Sequence, residues 1–236
     1  MAKSSKVLEI VIPVYHEGEA VFEVYNRLKA ALGDFDWKAY FVYDYEKDPT
    51  VPFLNKLKSE DSRVHPVCQT YGRGVVNALK YGFDQTHDGA VAVVMGDNSD
   101  DVNTLPLMYE KFTEGAVVVA SSRHSKDGEY IGGEFLKKHL SRLAGFILYL
   151  SGMPTRDPTN NFKLYSGKFL KSVKIESVGG FEIALELTVK AHTQGLKVSE
   201  VPGSWKDRTA GESKFKLFKW LPHYLRWFIY ALKNRP

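Results

Sequence analysis

The sequence is poor in cysteine and has no long apolar run. Its one cysteine, Cys68, excludes a disulfide framework and suits a reducing compartment. No apolar segment approaches the ~20 residues that a membrane-spanning helix requires. The polar segment that precedes Val7 is too short for a secretory signal. The sequence therefore predicts a cytoplasmic protein, and it excludes the secreted disulfide-rich class.

The excess of positive charge is small, with a formal net charge of +4, but it is unevenly placed. From Lys206 onward only Asp207 and Glu212 are acidic. The basic residues after Lys206 are Arg208, Lys214, Lys216, Lys219, Arg226, Lys233 and Arg235. Such an end favours anionic partners, and we expect nucleotide phosphates or phospholipid headgroups rather than nucleic acid.

The apolar pattern predicts one α/β domain. The chain has 236 residues, of which 44% are hydrophobic, enough for one well-buried core. Apolar runs predict strands, helical spacing predicts helices between them, and their alternation predicts a doubly wound, mostly parallel sheet with helices on both faces. We expect this domain over residues 1–214 and an amphipathic helix over 215–236. The predicted strands are 7–14, 39–43, 64–69, 90–95, 116–120 and 196–202, and the predicted helices are 21–32, 51–57, 74–83, 104–112, 134–150, 181–193 and 215–232.

An acidic segment, Gly96-Asp97-Asn98-Ser99-Asp100-Asp101, follows the predicted strand at 90–95. Ligands of open α/β sheets bind at the carboxyl ends of the strands. Carboxylates gathered there repel one another, which indicates a hard cation that bridges them to a phosphate-bearing ligand. The structural alternative is a helix cap, with Asp100 or Asp101 accepting backbone N–H groups ahead of the helix at 104–112.

Three further segments end at the same predicted edge. Pro13, Tyr15 and Glu17 close the first strand, where a ring and a carboxylate could hold a nucleoside; a simple strand-to-helix turn is the alternative. Asp44 ends the second strand and could accept hydrogen bonds from a base or a ribose, although Asp is ordinary in such turns. Arg73, in Gly72-Arg73-Gly74, either lies beside a nucleotide or is a solvent-exposed arginine.

The order of these segments resembles the family 2 glycosyltransferases with a GT-A fold, in particular the branch of dolichyl- and polyprenyl-phosphate mannose synthases. The resemblance implies that Pro13, Tyr15, Glu17, Asp44 and Arg73 bind the donor nucleotide. It also implies a divalent cation, Mg²⁺ or Mn²⁺, at an Asp-x-Asp motif whose first aspartate is here Met95. The implied metal ligands are Asp97, Ser99 and Asp100, with Asp100 or an ordered water replacing the lost oxygen.

Later motifs extend the resemblance over nearly the whole chain. By resemblance, Arg123, Lys137 and Ser141 hold the acceptor phosphate, although Lys137 could equally belong to the solvated face of a helix. The segment Arg156-Asp157-Pro158-Thr159-Asn160-Asn161-Phe162-Lys163 resembles a family motif whose aspartate lies where sugar and acceptor meet. A turn at Asp157-Pro158 is the structural alternative. In the last motif, at 207–214, Arg208 and Lys214 are expected to bind the donor diphosphate.

The implied reaction is transfer of a hexose, with inversion, from a GDP- or UDP-sugar to a polyprenyl phosphate. The residues expected at the reacting centre are Asp97, Asp157 and Arg208. If the acceptor were instead a saccharide hydroxyl, Asp157 would be needed as a general base. The replaced aspartate motivates a further alternative, a non-catalytic protein that binds nucleotide sugars.

The predicted C-terminal helix combines aromatic and basic residues. That composition suits a helix in a bilayer interface, and it also suits packing against the domain or a partner subunit. The sequence therefore predicts a protein that is cytoplasmic or peripheral on the cytoplasmic membrane face, alone or with a membrane partner.

Overall fold

A seven-stranded sheet forms the centre of the protein, in the order β3-β2-β1-β4-β7-β5-β8. The structure is a computed structural model that describes residues 7–132, 135–207 and 217–234. Two further strands, β6 and β9, pair as a small parallel sheet. The strands are β1 (Leu8–Pro13), β2 (Trp37–Tyr43), β3 (Val64–Cys68), β4 (Ala90–Val93), β5 (Val118–Ser122), β6 (Glu129–Ile131), β7 (Lys163–Ser166), β8 (Val198–Pro202) and β9 (Ser204–Lys206).

Helices cover both faces of the sheet, as the apolar runs predict. Every residue of β1 is buried, which fits a strand packed on both sides. The helix α1 turns Val21, Val24, Leu28 and Leu32 toward the core at helical spacing. The helices are α1 (Val21–Leu32), α2 (Val51–Glu60), α3 (Val75–Asp84), α4 (Leu105–Thr113), α5 (Phe135–Leu150), α6 (Gly167–Ser172), α7 (Ile183–Thr193) and α8 (Leu217–Lys233).

The predicted doubly wound, mostly parallel α/β sheet is confirmed, but one central strand runs against it. The strand β7 lies between β4 and β5 and is antiparallel to both. Its sequence, Lys163-Leu164-Tyr165-Ser166, is too short and too polar to indicate a buried strand. The strand β7, the helix α6 and the β6–β9 pair are not predicted by the sequence, because their formation depends on distant neighbours rather than on local pattern.

The sheet reverses its strand order at β1, which pairs with β2 on one side and β4 on the other. Ligands of open α/β sheets bind in the crevice at such a reversal, outside the carboxyl ends of the strands. The three strands that meet there end at Pro13, Tyr43 and Val93. The loops that follow these residues therefore share one edge of the sheet.

A third apolar cluster joins α5, α7 and α8 outside the two faces of the sheet. Trp227 and Ala231 of α8 are buried against Leu148 of α5 and Leu185 of α7. The Lys190 ammonium of α7 lies 4.8 Å from the centre of the Trp227 ring. The helix α8 therefore packs on the domain through one face. Within the described residues, no helix has both the length and the apolar content needed to cross a bilayer.

Candidate active site

The loop after β1 is attached to the loop after β2. The backbone N–H of His16 donates to the Asp48 carboxylate, with 3.1 Å between N and Oδ2. The N–H of Glu17 donates to Thr50 Oγ1 at 3.0 Å. The Tyr15 ring stacks on the His16 ring with 4.2 Å between centroids. These contacts hold Tyr15 and Glu17 directly beyond Pro13, at the sheet edge where the sequence predicts nucleotide contacts.

Asp44 organises the neighbouring loops. Its carboxylate accepts hydrogen bonds from Gln69 Nε2 at 2.9 Å and from the N–H of Gly74 at 3.0 Å. Next to Gly74, the Arg73 guanidinium lies over the Tyr45 ring at 5.0 Å. Tyr45 in turn meets Tyr15 edge to face, with 6.4 Å between ring centroids. The structure thus brings together Tyr15, Asp44 and Arg73, three of the predicted nucleotide contacts.

The acidic loop that follows β4 packs tightly against the end of β1. A Cβ atom at Gly96 would lie 2.9 Å from Val14 Cγ1 and 3.0 Å from the Pro13 carbonyl oxygen, so only glycine fits without a shift. Asp97, the residue after Gly96, is half-buried, and its Oδ1 accepts the N–H of Ser99 at 3.1 Å. Asp97 therefore lies on the same edge as Tyr15 and Glu17.

Asp100 turns inward from this loop. Its Oδ2 accepts the N–H of Met95 at 2.9 Å, and the residue is 2% exposed. Burial raises the pKa of Asp100 to about 7, although the Met95 N–H opposes that rise, and the nearby Asp97 carboxylate adds to it. Of the two predicted capping residues, Asp101 caps the short 3-10 turn Val102–Thr104 that precedes α4, and its Oδ1 accepts the N–H of Asn103 at 3.2 Å. The N-cap of α4 itself is Thr104, which makes no side-chain capping bond.

A buried ion pair lies on the other side of the acidic loop. Arg123 donates from Nε to Asp157 Oδ2 at 2.7 Å and from Nη2 to Oδ1 at 2.9 Å. The N–H groups of Arg123 and Asn160 also donate to the Asp157 carboxylate, at 3.0 and 3.2 Å. Burial alone would raise the pKa of Asp157, but the Arg123 guanidinium outweighs it and holds that pKa well below its usual range.

Hydroxyl groups surround the outer edge of this ion pair. Ser141 of α5 and Thr159 lie 2.9 Å apart through their hydroxyl oxygens, and Arg123 Nη2 is 3.4 Å from each of them. The ring nitrogen Nε2 of His124 is also 3.4 Å from Ser141 Oγ. The structure therefore brings Arg123 and Ser141 together, as the acceptor-site prediction requires. Lys137 lies on α5, but its side chain is outside the described part.

The strand β9 connects the acidic loop to the ion pair. The N–H of Lys206 donates to the Ser99 carbonyl at 3.0 Å. The neighbouring Trp205 ring contacts the Tyr130 ring at 4.8 Å, and the Arg123 guanidinium lies 4.9 Å from the centre of Tyr130. The acidic loop and Arg123 are thus linked through Trp205 of β9 and Tyr130. Arg208 and Lys214 lie outside the described residues.

Few protein side chains are placed to bind a divalent cation at this edge of the sheet. Within the described residues, no group of three or more His, Cys, Asp or Glu side chains could share a metal ion. Asp97 is half-buried at the sheet edge, whereas one oxygen of Asp100 already accepts the Met95 N–H. Mg²⁺ is commonly bound by one or two carboxylates together with substrate phosphates and waters. The residues fit a cation that is held mainly by Asp97 and by a diphosphate.

Three residues lie at this site in addition to those that the sequence predicts. Arg27 reaches the acidic loop from α1, Tyr45 contacts Arg73, and Thr159 contacts Ser141. Thr159 lies inside the 156–163 motif, and its place in that motif is the sequence feature that could have indicated it as a site residue. Arg27 and Tyr45 had no sequence signal, because each acts through a contact between distant segments.

The fold and the acidic loop at the reversal of strand order define a glycosyltransferase fold of the GT-A type. A crystal structure of glucosyl-3-phosphoglycerate synthase from Mycobacterium tuberculosis, with Mn²⁺, UDP and glucosyl-3-phosphoglycerate, superposes with a TM-score of 0.71 at 14% identity. The alignment covers 99% of this chain and 82% of that chain. At that identity the likeness shows the fold alone.

The sequence then places the chain in a family. Residues 9–170 match the family model of glycosyl transferase family 2, which is more than half of the chain, and the chain belongs to this family. It is 26% identical over 225 residues to a dolichol-phosphate mannosyltransferase from Pyrococcus furiosus, covering 93% of this chain and 63% of that protein. It is 24% identical over 212 residues to an undecaprenyl-phosphate mannosyltransferase from Micrococcus luteus, covering 86% and 85%.

Proposed function

We propose that the protein transfers a hexose from a nucleotide-diphosphate sugar to a polyprenyl phosphate at a membrane surface. The observation that carries the proposal is the contact of Arg123 with Ser141 of α5, a helix that also exposes apolar residues. A lipid phosphate has an anionic group that Arg123 and Ser141 could bind and an apolar chain that the apolar residues of α5 could contact. The names of the Pyrococcus and Micrococcus relatives support the same acceptor class.

The donor nucleotide is assigned to the edge formed by the loops after β1, β2 and β4. Tyr15 and Tyr45 offer aromatic faces, and Asp44 offers a carboxylate beside Arg73. Pro13 and Glu17 complete the proposed nucleotide contacts. UDP bound to the mycobacterial synthase of the same fold supports a nucleoside diphosphate here. GDP and UDP sugars are both candidates for the donor.

The reaction that fits these residues is a single displacement. An oxygen of the acceptor phosphate attacks the anomeric carbon, the bond from that carbon to the donor diphosphate breaks, and the configuration inverts. A phosphate monoester loses its second proton at a pKa of about 6, so the nucleophile needs no general base. The protein's task is to align the reactants and to stabilise charge on the leaving diphosphate. We assign the second task to Asp97 with its cation, and to Arg208 and Lys214.

The ion pair of Asp157 favours a phosphate acceptor over a saccharide hydroxyl. A general base for a hydroxyl must be able to take up a proton. Asp157 is fully buried, accepts from the Arg123 guanidinium and has a pKa well below its usual range. Its role in the proposed reaction is therefore to orient Arg123 toward the acceptor phosphate, together with Ser141 and Lys137.

A divalent cation, Mg²⁺ or Mn²⁺, is proposed to bind with the donor diphosphate. When bound, it would neutralise charge that develops on the leaving group. Asp97 would hold it, with Ser99 and Asp100 as the further candidates beside the diphosphate oxygens. The mycobacterial complex of the same fold holds Mn²⁺ together with UDP, which supports a divalent cation beside the nucleotide.

The membrane contact is assigned to the exposed apolar face on α5 and α8, two helices that contact each other. Neither helix contains Asp or Glu, and both carry basic residues, which suits an anionic bilayer surface. Ser141 lies on α5 as well, so the proposed acceptor phosphate site and the proposed membrane contact share one helix. The exposed apolar residues of the face are Phe135, Leu140, Leu143, Phe146, Ile147, Leu150, Leu225 and Ile229.

The test of this function is a transfer assay with labelled donors. The protein is incubated with GDP- and UDP-hexoses, Mg²⁺ or Mn²⁺, and either undecaprenyl phosphate or an oligosaccharide, and products are separated by organic extraction. We expect label in the lipid fraction with one donor. Transfer to the oligosaccharide alone would overturn the acceptor assignment and favour the saccharide transferase.

A matched pair of variants, in α5 and directly after it, sharpens the assay. Ser141→Ala removes a hydroxyl from the proposed phosphate site, so we expect a higher KM for the lipid phosphate. Ser151→Ala, at the residue that follows α5, removes a hydroxyl that donates to the Leu148 carbonyl, and it serves as the control. Equal KM values for the two variants would contradict the placement of the acceptor phosphate.

One observation favours a second candidate, a non-catalytic protein that binds nucleotide sugars. Met95 replaces a carboxylate of the metal motif, and the described residues hold no three-carboxylate group. Calorimetry distinguishes the two functions. Tight binding of a nucleotide sugar, without transfer or donor hydrolysis in either metal, would support the second candidate.

A further inference from the structure

Arg27 of α1 holds the main chain of the acidic loop from outside the proposed ligand site. Its Nη1 donates to the Asn98 carbonyl at 2.8 Å, and its Nη2 donates to the Asp100 carbonyl at 2.6 Å. The two carbonyls lie on either side of Ser99. A guanidinium is planar and presents its donors in a fixed fork, so this double contact fixes both the position and the orientation of the loop.

The loop needs such support for two physical reasons. Asn98 has a φ of 61°, in the left-handed region that non-glycine residues adopt uncommonly. In addition, the loop carries three aspartates within five residues, Asp97, Asp100 and Asp101, and the positive charge of Arg27 opposes their negative charge. A second contact to the same part of the fold is Asn98 Nδ2, which donates to the Ala20 carbonyl at 3.3 Å.

We propose that Arg27 is a positioning residue for the cation and diphosphate of the donor, which acts by holding the backbone that carries Asp97. This inference rests on the proposed function. In the described residues the cation has few protein ligands, so its affinity depends on how well Asp97 is placed. Outer partners of metal ligands typically contribute a factor of about 10–100 in metal affinity.

The experiment measures nucleotide binding by calorimetry, with and without the metal. The nucleotide is UDP or GDP, whichever wild-type protein binds more tightly, and the metal is Mn²⁺ or Mg²⁺. Arg27→Met keeps the length of the side chain and removes the donors; Arg27→Lys keeps the charge and removes the fork. In the presence of the metal ion, we expect both variants to bind the nucleotide about 10- to 100-fold more weakly than wild type does, and we expect Arg27→Lys to be the less affected of the two. Without metal, their affinity should match that of wild type.

Arg63→Met is the matched control. Arg63 pairs with Asp61 at 2.6 Å in the loop between α2 and β3. This loop precedes β3, so it lies at the edge of the sheet opposite to the proposed ligand site. This variant also loses a charged hydrogen-bonded arginine, but we expect unchanged nucleotide affinity in metal. If Arg27→Met does not fold, Arg27→Lys carries the same comparison.

The outcomes separate this inference from the proposed function. Wild-type protein that binds no nucleotide would overturn the proposed function itself. Wild-type binding with unchanged affinity in the Arg27 variants would overturn only the role of Arg27. A loss of the same size with and without metal would also overturn it, because a general loss of structure does not act through the cation.

Discussion

Arg123 and Asp157 form a fork-to-fork ion pair, with Nε to Oδ2 at 2.7 Å and Nη2 to Oδ1 at 2.9 Å. The side chains are 10% and 0% exposed. Both charges are therefore almost removed from water, and each depends on the other for its stability in the fold. The pair also defines the proposed acceptor site, because the same guanidinium reaches toward Ser141 and Thr159.

Removal of one partner of this pair is expected to destabilise the fold strongly. Asp157→Ala leaves the Arg123 guanidinium buried without its counter-ion, and we expect a loss of about 3–5 kcal/mol in the free energy of unfolding. Urea denaturation measures it. Arg156→Gln breaks a more exposed pair with Glu200, at 2.9 Å and 40% exposure of the arginine, and should cost less than about 1 kcal/mol. Similar losses would contradict the difference in burial.

Asp97 is expected to carry the metal dependence of donor binding. Wild-type protein should show a higher melting temperature with GDP or UDP and Mn²⁺ than with either alone, because ligands that bind only the folded state stabilise it. Asp97→Ala should abolish the metal-dependent part of the shift. Asp101→Ala, which removes a carboxylate that contacts Asn103, is the control. An unchanged metal-dependent shift in Asp97→Ala would remove this residue from the cation site.

Asp100 should make stability depend on pH in a defined window. Its folded-state pKa of about 7 is raised above the ordinary value of about 3.9. The folded state therefore favours the protonated carboxyl, and the stability that this carboxyl contributes is fully present below about pH 4 and is lost as pH rises through 7. Asp100→Asn cannot ionise and keeps an acceptor for the Met95 N–H. Relative to wild type, the metal-free variant should gain stability between pH 4 and 8, by up to a few kcal/mol. A pH-independent difference in urea unfolding would contradict the prediction.

The apolar face of α5 is expected to bind anionic bilayers. Phe146 and Leu150 are 53% and 69% exposed, so changing both to Glu removes apolar surface and adds negative charge without opening the core. We expect at least a roughly tenfold loss of co-sedimentation with vesicles that contain phosphatidylglycerol. Leu107→Glu, on α4 and 40% exposed, is the control. Equal binding by all three proteins would exclude this face as the contact.

The strands and helices with strong local patterns were predictable from sequence. The alternation from β1 to α4 follows the apolar periodicity, and α5 begins and ends within one residue of its predicted bounds. Asp44, Asp97 and Arg123 each follow a predicted strand, so their place at one edge of the sheet follows from the parallel order. The family interpretation was predictable for the same reason, and it is confirmed by the match over residues 9–170.

The partners of individual side chains were not predictable. Glu200 pairs with Arg156, which lies 44 positions away in the chain, whereas Glu186 pairs with Lys190 one helical turn away. Lys163, the last residue of the 156–163 motif, is fully buried, and its ammonium donates to the backbone carbonyls of Asp157 and Asn160. Burial lowers the pKa of Lys163 to about 7, although the nearby Asp157 carboxylate opposes that shift.

The sequence by itself determined the class of fold, the order of the chemical motifs and the family, because each depends on local periodicity or on residues close together in the chain. The tertiary structure decided that Asp100 faces Met95, that Asp157 is bound by Arg123 and that Arg27 supports the acidic loop. These relationships join segments from different strands and helices. Burial and charge at such contacts are properties of the packed chain, and no local pattern encodes them.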